Sequence, residues 1–281
     1  LPRRDASRHP VTRTESSMND TPTDLDFACN GCGGCCHDLR IPLTIDEAIA
    51  WLQRGGHVEL LCDAMPWLVE PEPDNAFAAY KRVRSTAALS GSLPVRITVM
   101  LTATHAGPCP NLRDDLRCAI YDARPLVCRI YPAEVNPFVP LVPDGKQCTP
   151  DAWQQAPFVR GGTIVDAATR ENIARSRAAS EAETPLRARL CTVLGIDTAA
   201  VANEGFAVHA PPAATLLAAL TALTAQRASE SAPANADDTI AWTLVSNRTS
   251  TLNALVSVGA ASQPAGRANP HTRYLGFHPD E

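Results

Sequence analysis

Cys29-Asn30-Gly31-Cys32-Gly33-Gly34-Cys35-Cys36 places four thiols within eight residues, and the rest of the chain is best read outward from this run. A two-residue gap lets a tight turn aim both flanking sulfurs at one ion, the spacing that thiolate zinc sites use. Gly31, Gly33 and Gly34 suit such a turn, because glycine takes positive φ, lets backbone approach a metal or sulfide, and exposes amides that can donate to thiolate sulfur. Cys35 and Cys36 are adjacent, and adjacent side chains on extended backbone point to opposite sides. The two cannot easily chelate one tetrahedral ion, so the run needs partners from elsewhere.

Cys109, Cys118, Cys128 and Cys148 can supply them, separated by eight, nine and nineteen residues. With Cys29, Cys32, Cys35 and Cys36 they make eight candidate metal ligands. Eight thiolates divide into two sets of four, the number used by a closed zinc site and by a cubane 4Fe-4S cluster. Cys-x2-Cys-x2-Cys also opens the ferredoxin-type run, and Cys109 is followed by Pro110, as is the remote ligand of such runs. Against that, Cys36 follows at once where a ferredoxin run waits three residues. The expected metal is zinc or iron, with an iron-sulfur cluster as one form of the iron.

Several neighbours bear on this chemistry. His37 directly after the run could complete a Cys3His set with its neutral imidazole, or could be an exposed polar neighbour, and His105 before Cys109 is a weaker candidate. Arg124 and Arg129 flank Cys128 and could offset the excess charge that one divalent ion leaves on four thiolates. Tyr121 and Tyr131 could wall the site off from water. Cys62 and Cys191 lack partner spacing and stand in apolar helical contexts, Leu60-Leu61-Cys62 and Leu190-Cys191, which marks them as buried hydrophobes.

A chain of 281 residues with ten cysteines can bury a core without disulfide staples. The formal net charge of −5 and a pI near 5.8, without basic runs, argue against nucleic-acid or anionic-membrane partners. There is no long apolar run, and the first residues carry charges and prolines where a signal peptide would be apolar. The expected location is cytoplasmic. There, thiols stay reduced, and clustered cysteines are metal ligands or redox centres more often than disulfides. No G-x-S-x-G, Walker-type loop, H-E-x-x-H or dinucleotide fingerprint supports a catalytic assignment. The chemistry points to a metal-binding protein more than to an enzyme.

The expected fold class is α+β: a small loop-rich cysteine-cluster metal-binding domain, then a mostly α-helical C-terminal region. Residues 1–24 read as a disordered lead with Met18 a candidate true start, 25–155 as the cysteine domain, 156–260 as a mainly helical Ala-rich region and 261–281 as a loosely ordered tail. Thr44 to Glu47 has the form of a capping box, with Ile45, Ala48, Ile49 and Leu52 on one face and Gly55-Gly56 as the stop. Pro94 to Thr104 alternates β-branched and polar residues, which predicts a half-buried strand leading to Cys109. Residues 118–132, with two prolines and closely spaced cysteines, predict a short turn or helical piece. Helical patterns lie near 166–194 and 211–226, and 239–258 reads as a strand or a helix.

C-N-G-C-G-G-C-C at 29–36, C-P-N-L at 109–112 and C-A-I-Y-D-A-R-P-L-V-C-R-I-Y-P at 118–132 together resemble the YkgJ-type cysteine-cluster proteins, described as zinc- or iron-chelating domains. The resemblance spans roughly 27–150 and includes Phe27, Tyr121, Arg124 and Pro125. It implies that Cys29, Cys32, Cys35, Cys36, Cys109, Cys118 and Cys128 are ligands, with Cys148 a later member, and it implies chelation, not a reaction. A more distant group, the flagellin lysine N-methylases, joins a similar iron-sulfur cysteine cluster to methyl transfer from S-adenosylmethionine. The alternative function is therefore an iron-sulfur oxidoreductase or an S-adenosylmethionine-dependent methyltransferase-like enzyme. A thiol redox sensor would instead need reversible disulfides.

Overall fold

Helix formation after the cysteine run begins at Thr44, as the capping box predicts. The Thr44 hydroxyl accepts from Glu47 N at 3.2 Å and the Glu47 carboxylate accepts from Thr44 N at 2.9 Å. Two orphan donors are thereby satisfied. A computed structural model provides the coordinates and describes residues 23–229, 240–266 and 271–278, so most of the expected N-terminal lead, Met18 included, lies outside the described residues.

Along the chain the elements are β1 (Leu25–Asp26), β2 (Arg40–Leu43), α1 (Ile45–Gln53), β3 (His57–Pro66), α2 (Ala76–Arg82), β4 (Thr86–Ser90), β5 (Leu93–Thr104), α3 (Leu126–Ile130), β6 (Pro157–Arg160), β7 (Thr163–Ile164), α4 (Ala167–Leu194), β8 (Thr198–Val201), β9 (Gly205–His209), α5 (Ala213–Ser229), β10 (Thr243–Ser246), α6 (Thr249–Ser257), β11 (Ser262–Pro264) and β12 (Thr272–Gly276). The fold is mixed α/β.

β5 is the predicted strand. Leu93, Val95, Ile97, Val99, Leu101 and Ala103 all face the core, the period-2 pattern of a strand with one buried face. β3 pairs antiparallel with it from His57↔Thr104 to Pro66↔Val95. The other edge of β5 is shared by β2 at its C-terminal end and β4 at its N-terminal end. The other edge of β3 takes β9 antiparallel and β8 parallel, and β10 and β11 continue in parallel beyond β8. Trp242 N donates to Leu89 O at 3.0 Å, a bridge that curls β4 round to the start of β10.

α1, α4 and α5 pack on this nine-stranded sheet. α4 carries a buried ion pair, Arg187 to Glu183 at 2.7 Å. Glu183 also accepts Ile45 N at 3.0 Å, and Arg187 donates to Leu43 O at 3.2 Å. The pair therefore pins α4 to the start of α1 and the end of β2. Burial pushes the Glu183 carboxyl upward, against the pull of Arg187. A second, smaller cluster joins Phe27, Leu126, Ile130, Phe158 and Ile173 beside the three-stranded sheet of β1, β6 and β7. α4 reaches both clusters, through Ile173 near its start and Leu186 and Leu190 near its end.

The region after 155 departs from the mostly helical expectation. It holds α4, α5 and α6 but also strands β6 to β12. Segments such as Thr198–Val201 and Thr243–Ser246 are four residues long, too short and too fully buried to show an alternating period. Residues 239–258 contain both candidate elements, β10 and then α6. The tail contributes β11 and β12, the latter tied to β3 by Arg273, which pairs bidentately with Glu59 at 2.7 and 2.8 Å. Cys62 is on strand β3, not in a helix, while Cys191 is on α4, and both are fully buried.

Candidate metal centre

Loops, more than regular elements, carry the eight thiols. The run ends in a 3-10 turn, Gly34–Cys36, entered through Gly33 at φ 69. At Gly34 a side chain is excluded, because a Cβ there would sit 2.4 Å from Gln147 O. This close approach sets Cys148 beside the run. Cys109 N donates to Cys36 O at 2.7 Å, which fastens the exit of β5 to the run's other end. Backbone bridging of Leu112 to Cys118 closes the next turn. Cys128 lies on α3, whose first amide, Leu126 N, donates to Glu47 Oε1 at 2.7 Å. Gln147 N donates to the Tyr131 hydroxyl at 2.7 Å.

The thiols sort by their neighbours. Cys148 feels Cys32 and Cys29, and Cys35 feels Cys29 and Cys148. Cys109 feels Cys36 and Cys118, while Cys128 feels Cys36, Cys109 and Cys118. Cys29, Cys32 and Cys148 are neighbours on one side of the group, and Cys109, Cys118 and Cys128 on the other. The two sides meet where the Cys36 thiol hydrogen-bonds Cys35, which holds Cys35 below the usual thiol range and Cys36 far above it. Cys35 also feels Cys128 across that junction.

Burial pushes Cys128 up to about 12 and raises Cys109 and Cys148. Burial likewise takes the Tyr131 hydroxyl up to about 12. The Arg124 guanidinium acts in the opposite sense on Cys36 and Cys128. All ten cysteines are free thiols. Among the described residues no three His, Cys, Asp or Glu side chains already converge on a point that could hold a metal ion.

The flanking candidates divide. His37 is exposed, with Nδ1 3.2 Å from Gly33 O, and straps the run. His105 is 3.1 Å from Gly107 O and lines a neighbouring groove, not the thiol cavity. Arg124 lies 3.6 Å over the Tyr121 ring, and that ring is exposed. Arg129 donates to the Asp122 and Arg124 carbonyls, so it braces the turn before α3. Tyr131 lines the cavity. Sequence reasoning missed two residues. Glu47 serves α3 as well as α1, and Asn111 hydrogen-bonds Cys109. The capping box was a visible signal for Glu47, but its second partner lies 79 positions away.

The thiols thus form a loop-built group set against a mixed sheet. Residues 28–152 match the model of the CxxCxxCC family, described as a "putative zinc- or iron-chelating domain", so this segment is similar to that family. No curated protein and no solved structure matches the chain.

Proposed function

We propose that this protein binds zinc or iron through eight thiolates arranged as two centres, one of Cys29, Cys32, Cys35 and Cys148 and one of Cys36, Cys109, Cys118 and Cys128. The observation that supports this is that long-range backbone contacts bring the thiol-bearing loops together, Cys109 N donating to Cys36 O at 2.7 Å and Gly34 packing on Gln147 O. Four thiolates meet the ligand count of a closed zinc site or a cubane cluster, and soft sulfur ligands favour these metals over hard cations. A divalent ion in four thiolates keeps a net charge of −2, and Arg124 stands where it offsets part of it.

Binding would draw the loop-borne thiols together, since among the described residues no three ligands already converge. Because burial holds several thiols protonated, loading releases protons, and affinity rises with pH. Iron with sulfide in one centre is the finer alternative to zinc in both. The metal is the expected partner, in the reducing cytoplasm, and the acidic chain offers no basic surface for nucleic acid. Among the described residues no helix is long and apolar enough to cross a membrane.

The test is anaerobic purification followed by elemental and acid-labile sulfide analysis. Two metal-filled centres are expected, with Cys32→Ser emptying the first and Cys118→Ser the second. Full metal content and unchanged stability in either variant would sink the assignment.

A further inference from the structure

The thiols border a cavity of about 480 Å³, the size of a small organic ligand's pocket. Six of the eight clustered thiols line it, Cys32 and Cys148 being the exceptions. Part of its lining has no use in metal chelation: Leu39, Ile41, Trp51, Ile120 and Val127 form an apolar wall. Ile41 and Trp51 are core residues, 4% and 3% exposed, so this wall is rigid. The same cavity is lined by four arginines, Arg40, Arg113, Arg117 and Arg124. Among the described residues none of the four forms an ion pair, although the chain as a whole is acidic.

Arg124 has a duty at the thiols. Arg113 and Arg117 sit on an exposed turn, and Arg40 lies between this cavity and the adjoining groove. Asp115 serves the turn's backbone, accepting Arg117 N at 3.1 Å, and neither Asp114 nor Asp115 lines the cavity. Guanidinium groups without carboxylate partners are matched to carboxylate, sulfonate or phosphate oxygens, which they bind through charge-assisted and often bidentate hydrogen bonds.

The geometry points to a binding site for a small amphipathic organic anion, its apolar body against Trp51, Ile41 and Val127 and its acidic group on Arg113, Arg117 and Arg40. The site goes beyond metal chelation and stands whether or not the thiols hold metal.

The probe is 8-anilinonaphthalene-1-sulfonate, compared with the uncharged N-phenyl-1-naphthylamine, which has the same aromatic body without the sulfonate. Both are titrated by fluorescence into protein purified anaerobically with its metal, and metal content is measured on the same samples. Expected are saturable one-to-one binding of the sulfonate, about tenfold tighter than the neutral dye, and displacement by octanoate or phenyl phosphate. The Arg113→Gln/Arg117→Gln variant should weaken it about tenfold or more while keeping metal. Arg113→Lys/Arg117→Lys should restore part of the affinity, and Arg82→Gln, outside the cavity, should leave it unchanged. Absence of saturable binding, equal binding of the two dyes, or indifference to the Arg113/Arg117 change overturns the proposal. So does joint loss of dye and metal in the Gln variant, which would assign these arginines to the thiolates. Metal loss in Cys118→Ser with dye binding retained would fail neither reading and would separate the two sites.

Discussion

Glu47 shows how one side chain can serve two elements. One carboxylate oxygen accepts Thr44 N in the capping box, and the other accepts Leu126 N, the first amide of the short helix that carries Cys128. α3 has only five residues, too few to fix its own position, so its anchor comes from α1. Glu47→Ala should therefore cost about 1–3 kcal/mol in stability. It should also weaken metal binding at the Cys128 centre while sparing the Cys32 centre, because it frees the helix on which Cys128 sits. Urea unfolding and metal competition titration would check both parts, and equal weakening of the two centres would contradict the positioning role.

His209 gives a second prediction at this scale. Its ring spans Thr198 O at 2.8 Å and the Thr272 hydroxyl at 3.1 Å, joining β9 to β8 and β12. Burial is the largest influence on this imidazole and lowers its pKa, partly opposed by the bond to Thr198 and by Asp197. In the unfolded chain the same ring protonates near its ordinary value of about 6.5. Between the two values the unfolded state binds more protons, so stability is complete above the ordinary value and declines as pH falls through it. The decline is at most about 1.4 kcal/mol per pH unit for one proton. His209→Gln should flatten the fall in urea midpoint between about pH 7 and pH 5, and an unchanged pH profile would refute the assignment.

At the scale of elements, Glu183 and Arg187 test how α4 is held. Glu183→Ala leaves a buried guanidinium without its counter-ion and should cost about 3–5 kcal/mol. Replacing both, as Glu183→Leu with Arg187→Met, should cost much less, since an apolar pair of similar volume can match a buried ion pair. Equal losses in the single and double variants would show that the bonds to Ile45 N and Leu43 O matter more than the charges.

The elements legible in the sequence are those with a sustained period. α1 declared itself by its capping box, β5 by eleven alternating residues from Pro94 to Thr104, and α4 and α5 by long helical patterns. β3 did not, because Leu60-Leu61-Cys62 is an apolar run without alternation, and a strand buried on both faces loses the period-2 signal. β8, β10 and β11 are too short to carry one. The eight clustered cysteines stand out in the sequence as candidates because residue type and spacing suggest their chemistry directly. The expectation that adjacent Cys35 and Cys36 point apart assumes extended backbone; the pair instead closes a 3-10 turn, where the two thiols hydrogen-bond each other. Placement of Cys148 beside the run depends on Gly34 meeting Gln147 O, a long-range contact that leaves no local pattern.

Across the whole molecule, the clustered thiols lean on different cores. Cys109 and Cys128 pack against the main cluster on the nine-stranded sheet, and Cys148 packs against the smaller cluster around Phe27 and Phe158. α4 reaches both clusters and carries none of the eight clustered thiols. The sheet core of β3, β5, α4 and α5 contains Cys62 and Cys191 but needs no metal to bury its apolar side chains. The loops between β1 and β2 and between β5 and α3 have little regular structure and few buried side chains, so metal bonds would supply much of their order. Chelation should then act locally. Hydrogen exchange after metal removal is expected to rise in residues 28–38, 106–123 and 143–150, while amides of β3, β5 and the second half of α4 keep their protection. Restoring metal should restore protection in the loops. Cys118→Ser should reproduce the loss in 106–123 without the loss in 143–150, since only the second centre is emptied. Simultaneous exchange of β3 and β5 with the loops would instead make metal and sheet one cooperative unit, with the thiolates holding the entire fold together.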